Sequence, residues 1–199
     1  MMRFVMAPRL LPAAVFRAMI CLALIGCTQT TPSKQAKKGA EMTITVTSTA
    51  FSAGQAIPKK HTGEGENVSL PLKWSNLPAE TKEMALICDD PDAPGSQPWV
   101  HWVIYKISAG TGGLPENVEA SPTPAVPAGA MQGPNDSGKT GYSGPMPPRG
   151  HGMHHYHFKV YALDARLNLR PGLTKSDLLK AMEGHVLAQG ELVGTYERK

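Results

Sequence analysis

The sequence predicts a mostly antiparallel β domain with one helix near its C-terminus. Three observations support this. Apolar residues recur at period two in Met42, Ile44 and Val46 and again across residues 154–163, the signature of half-buried strands. Only one stretch, Leu178, Met182 and Val186, follows a helical stripe. Strands and helices do not alternate in the βαβ rhythm of a parallel sheet.

Taken in order, the chain begins with a segment that reads as a lipoprotein signal, residues 1–27. Arg3, Arg9 and Arg17 supply positive charge, and Ala18 to Gly26 supply an apolar core shorter than the roughly 20 residues of a membrane span. Leu24-Ile25-Gly26-Cys27 looks like a lipobox, which makes Cys27 the expected lipidation site and the periplasmic side of a bacterial membrane the expected location. An ordinary secretory signal with an incidental cysteine is the alternative. Residues 28–40 are polar without apolar periodicity and read as a flexible tether. Residues 41–199 form the expected domain.

The formal charge of +4 misleads about that domain. Six of the 20 basic residues precede Glu41, which leaves 14 against 16 acidic residues, a net of −2. Such a surface does not suit a phosphate backbone, so nucleic acid is not an expected partner. Of three cysteines, Cys21 would leave with the signal and Cys27 would carry lipid. Cys88 then has no partner for an internal disulfide. It closes the apolar run from Met84 and reads as a buried small hydrophobe, with a catalytic thiol as the alternative.

Thr43, Thr45 and Thr47 alternate with the first apolar set, giving a first strand. Glycines and prolines between Phe51 and Asn76 limit any strands there to short pieces. Met84 to Cys88 and Val100 to Ile107 read as buried strands. Between them, Asp89, Asp90 and Asp92 sit on a turn in which Pro91 and Pro94 fix the backbone. Residues 110–150 are dominated by Gly and Pro, a length of irregular chain that usually carries function or wraps a surface. In the strand that follows, His154, Tyr156, Phe158 and Val160 share one face, and His155, His157, Lys159 and Tyr161 share the other. Thr174 with Asp177 marks a helix start, Gly190 its expected end, and Leu192 and Val193 a last short strand or turn.

Two clusters bear chemistry. Asp90-Pro-Asp-Ala-Pro could be only a turn, since Asp side chains bond nearby amides. His101, opening the next strand, could be only a core histidine. The glycine-rich run Gly141 to Gly150 feeds into His151, His154, His155 and His157, and such a run can aim backbone N–H groups at an anion. His155 and His157, two apart on one face, could instead chelate zinc, and with a carboxylate would make a hydrolase conceivable. No third ligand is assigned by sequence. Ser143 lacks the Gly-x-Ser-x-Gly form of a nucleophile elbow.

Together, Asp90-Pro-Asp-Ala-Pro with His101-Trp-Val, Gly138-Lys-Thr-Gly-Tyr-Ser-Gly-Pro-x-Pro-Pro-x-Gly, and His154-x-Tyr-x-Phe-x-Val-Tyr-Ala-Leu-Asp resemble the phosphatidylethanolamine-binding protein family, in its bacterial Raf kinase inhibitor-like branch. The closing stretch from Met182 to Tyr196 resembles that branch too. The likeness runs from about Thr43 to the C-terminus. It implies a two-sheet antiparallel β-sandwich with a small anion pocket at one end and no catalysis. It places Asp90, His101, Gly144, His154 and Tyr156 at the ligand, with Asp92, Pro91 and Pro94 shaping the loop. It implies no cofactor and no resident metal, and as ligand a small anion or phospholipid head group. Family relatives also suggest a protein partner such as a serine protease. One departure stands out: His155 occupies the place where the family usually has arginine.

Overall fold

The computed structural model describes residues 42–199, with side chains from Ile44 onward. The signal-like segment, Cys27 and the expected tether lie outside the described residues. Nine strands and one α-helix follow in order: β1 (Met42–Thr43), β2 (Thr45–Ser48), β3 (Leu72–Ser75), β4 (Glu83–Asp90), β5 (Trp99–Ser108), β6 (Gly113–Leu114), β7 (Met131–Gln132), β8 (Met153–Leu163), α1 (Lys175–Met182) and β9 (Val186–Glu197). Six form one sheet in the order β1-β9-β8-β4-β5-β7, and three form a second in the order β2-β3-β6. Every pairing is antiparallel except that of β1 with β9. The mostly β, two-sheet sandwich is the architecture the sequence predicts.

The large sheet is covered on both faces. Leu86, Trp102, Ile104, Phe158 and Val160 pack with Ile44, Val46, Leu72 and Trp74 around the small sheet in the main core. On the opposite face Ala85, Ile87, Val103 and Tyr105 pack with Leu178 and Met182 of α1. This explains two different sequence patterns. β4 lies between β5 and β8, is buried at all eight positions, and so reads as a continuous apolar run. β8 keeps its alternation because the side chains of His155, His157, Lys159 and Tyr161 face outward and stay at least partly exposed.

The C-terminal region corrects the sequence reading. Thr174 does cap α1, its Oγ1 accepting the Asp177 N–H at 3.2 Å. The helix ends at Met182, however, and Val186 opens β9, a strand of 12 residues. Gly184, at φ 78°, turns the chain where the helical stripe was expected to continue. Gly190 ends nothing. It lies within β9 opposite Val160, and a Cβ there would sit 1.9 Å from the Ile44 carbonyl oxygen. The glycine expected to end the helix is instead a site of close backbone approach.

The irregular segment 110–150 is held by a buried side chain. The Gln132 carboxamide oxygen accepts the Trp102 indole N–H at 2.6 Å, and its NH₂ donates to the carbonyls of Glu119 and Ser121, both at 2.7 Å. Asn135 similarly donates to the Gly141 carbonyl at 2.9 Å. These bonds replace the ladder that the Gly/Pro-rich chain cannot make.

Across the outer face, Asp89 is buried and takes ammonium groups from Lys159 at 2.9 Å and Lys175 at 2.5 Å. Burial alone would raise its pKa, but the hydrogen bonds and charges of the two lysines outweigh that and hold it below the ordinary 3.8. A depressed carboxyl pKa contributes stability that is present above 3.8 and lost as pH falls through the folded value. Acid denaturation followed by circular dichroism should therefore be steep below pH 4 in the parent and shallower in Asp89→Asn. Equal slopes would exclude this contribution.

Candidate functional site

Three neighbouring strands bring the site together at one end of the large sheet. Asp90 ends β4, His101 lies near the start of β5, and His154 and Tyr156 open β8. The inward face of β8 continues from Phe158 and Val160 to Tyr156 and His154. His101 arrives by a different device. Cys88 pairs with Trp102 and Asp89 with Val100, so His101 is an extra residue in a bulge. A bulge re-aims a side chain that strict alternation would send elsewhere. His101 and Tyr156 then meet edge to face, with ring centroids 5.0 Å apart.

The imidazoles are tethered through Nδ1. The Nδ1 of His154 lies 2.7 Å from Asp90 Oδ2, and that of His101 lies 2.6 Å from the Ser143 carbonyl oxygen. A carbonyl only accepts, so His101 carries its proton on Nδ1 and keeps Nε2 as its remaining polar atom. The other oxygen of Asp90 accepts the Asp92 N–H at 2.8 Å, which fixes the turn. On the far side of His154, Nε2 lies 2.7 Å from Nδ1 of His151. The Tyr156 hydroxyl is buried and has no hydrogen-bond partner.

These groups line a cavity of about 330 Å³. Asp90, His101, His154 and Tyr156 form its polar wall, with Ser137 and Ser143 beside them. Trp99, Met146, Pro147 and Pro148 form an apolar rim, on which Trp99 is 40% and Met146 46% exposed. Burial lowers the pKa of His101, against smaller upward pulls from its bond to Ser143 and from Asp90. Burial and then the charge of Asp90 push the Tyr156 phenol well up, so it stays protonated.

The remaining residues expected at the site separate. Gly144 lines the cavity, but its N–H donates to Asn67 Oδ1 at 2.7 Å and is spent there. Gly144 thus meets the cavity through its surface rather than through its own N–H. A Cβ at 144 would lie 2.3 Å from the His61 carbonyl oxygen, so glycine is what lets the two loops meet. Asn67 itself holds φ 57°, and nothing around it in sequence marks it for this role. Asp92 clasps the turn to β8, its Oδ2 accepting both the His155 N–H at 2.8 Å and an Nδ1 contact from that ring at 2.7 Å. Pro91 is exposed on the turn, whereas Pro94 lines the cavity. His157 pairs with Glu191 at 3.0 Å, so His155 and His157 face two different carboxylates. Among the described residues no group of three or more His, Cys, Asp or Glu side chains is arranged to hold a metal ion.

Fold and site together define a two-sheet β-sandwich with a one-ended Asp/His/Tyr cavity. The phosphatidylethanolamine-binding protein family model matches residues 47–197, and the chain belongs to that family. It is 52% identical over 149 residues to a UPF0098 protein of Methanothermobacter thermautotrophicus, covering 75% of this chain and 95% of that one. It is 39% identical over 168 residues to LppC of Mycobacterium tuberculosis, which is named a candidate lipoprotein, covering 84% and 77% of the two chains. Among solved structures it is similar to YbcL of E. coli, described as a member of the mammalian PEBP family. That match has a TM-score of 0.74 at 34% identity and covers 80% of this chain and all of the other. Among the described residues no helix is long and apolar enough to cross a membrane.

Proposed function

We propose that this chain is a non-catalytic binding protein that takes a small anionic ligand, such as a phospholipid head group or a free phosphate, into the Asp90/His101/His154/Tyr156 cavity. The observation that carries this reading is the buried Tyr156 hydroxyl without a partner, in a wall that also holds two imidazoles tethered through Nδ1. A buried donor left unmade is costly, and a ligand oxygen would satisfy it. The apolar rim of Trp99 and Met146 suits a ligand whose anionic head enters while an apolar part rests outside. The absence of a serine hydroxyl bonded to an imidazole among the described residues argues for binding over acyl transfer: Ser137 and Ser143 hydroxyls bond each other at 3.2 Å.

The same proposal places the domain on the periplasmic side of a bacterial membrane, anchored through lipid on Cys27. Its support is the Leu24-Ile25-Gly26-Cys27 sequence and the lipoprotein name of the relative LppC. Mass spectrometry of protein extracted from the envelope should find a diacylglyceryl group on Cys27; an unmodified cysteine would overturn the anchor.

The pH dependence of binding tests the pocket. With Nδ1–H already donating, a neutral imidazole offers only a lone pair at Nε2, and an anion must be met by the protonated ring. For His101 burial shifts that protonation below the ordinary 6.5. Affinity should thus rise as pH falls below 6.5, by about tenfold per unit for each proton taken up. Sulfate, whose charge does not change in this range, is the probe, followed by calorimetry and by the NMR signals of His101 and His154. A flat profile, or no response at either ring, would overturn the reading.

A further inference from the structure

We propose that His151 is a latch on the ligand site: it occupies His154 Nε2 in the free protein and must leave before a ligand can use that nitrogen. The inference rests on the anion-binding reading for its ligand but not for its geometry. His154 is 1% exposed, and both ring nitrogens are engaged, Nδ1 with Asp90 and Nε2 with Nδ1 of His151 at 2.7 Å. With the His154 Nδ1–H donating to Asp90 Oδ2, Nε2 of the neutral ring is the acceptor and the His151 Nδ1–H the donor. The nitrogen a ligand needs is therefore already filled from within the chain.

His151 itself is built to move. It is exposed and does not line the cavity, whereas His154 is buried and does. Its neighbours Gly150 and Gly152 hold φ 72° and 91°, and a Cβ at either would meet nothing within 4 Å. Both are conformations that glycine adopts freely, in open space on either side of the ring. Its backbone tie to the preceding turn is one N–H donated to the Pro148 carbonyl at 3.2 Å. A hydrogen bond between neutral groups contributes modestly, so the latch is weak enough to be displaced and strong enough to bias the empty state. His154 is the ligand group, and His151 sets how readily it becomes available.

Two variants test this. His151→Ala removes the donor, while His151→Asn keeps an N–H at the position of Nδ1. Diethyl pyrocarbonate, which reacts with a free imidazole lone pair, is mapped by tandem mass spectrometry at His154, and sulfate affinity is measured in parallel. His154 should react several-fold faster in His151→Ala and at nearly the parent rate in His151→Asn. Sulfate should bind His151→Ala on the order of 2- to 10-fold tighter than the parent, the span one hydrogen bond supplies. An unchanged rate at His154 overturns the latch, whatever sulfate does. A faster rate with weaker sulfate binding also overturns it, because His151 would then hold the ligand. A faster rate with no sulfate binding in any variant upholds the latch and overturns the anion reading.

Discussion

Asp90→Ala is expected to cost about 2–4 kcal/mol of stability and to weaken sulfate binding more than tenfold. The carboxylate is 3% exposed and holds two groups at once, the His154 ring through Oδ2 and the Asp92 N–H through Oδ1. Alanine leaves a buried imidazole N–H and a turn N–H without acceptors, which is the expensive way to lose a hydrogen bond. It also frees the His154 ring to rotate, so the ligand group is lost along with the anchor. Asp90→Asn separates these effects. Its amide oxygen can still serve one donor, so the stability loss should be smaller. It cannot accept from both, and an NH₂ facing Nδ1 would move the His154 proton to Nε2. Urea denaturation reads the first effect and ¹⁵N chemical shifts of His154 read the second. If Asp90→Ala binds sulfate within twofold of the parent, the carboxylate does not organise the pocket.

What the sequence showed and hid follows from which forces act locally. β8 was legible because one face meets the core and the other meets water, and that contrast puts His154 and Tyr156 together. The start of α1 was legible because Thr174 and Asp177 cap it within one turn. The assembly of the site was not, because the Asp90–His154 contact joins residues 64 apart, and only the resemblance of the ordered motifs brought them to one place. His101 faces the cavity through a bulge, which depends on how β4 and β5 register and leaves no trace in either strand alone. The amide of Gly144 is spent on Asn67, 77 residues away, a pairing that neither segment shows alone. His151 read as one histidine of a cluster, and its place against His154 appears only when the loop is folded.

Gly190→Ala is expected to destabilise the fold by about 3 kcal/mol or more, the upper range for overpacking. In an ordinary strand the same change stabilises slightly, because alanine gives up less backbone freedom on folding. The sign is reversed here by contact. The new Cβ would lie 1.9 Å from the Ile44 carbonyl oxygen and 2.9 Å from the Ile44 Cβ, and the first of these is backbone that cannot turn aside. Ile44 is 1% exposed and its N–H donates to the Gln189 carbonyl at 2.9 Å, immediately beside the substitution. Relief therefore requires the segment at Ile44 to leave β9, which breaks that bond and withdraws an isoleucine from the main core. Gly184→Ala is the matched control. It sits at φ 78° with nothing within 4 Å of a Cβ, so it should cost only the roughly 1–2 kcal/mol of a left-handed alanine. In urea denaturation the Gly190 variant should fall well below the Gly184 variant. The reverse order would mean that Gly190 is a turn-former after all and that the β9 packing is wrong.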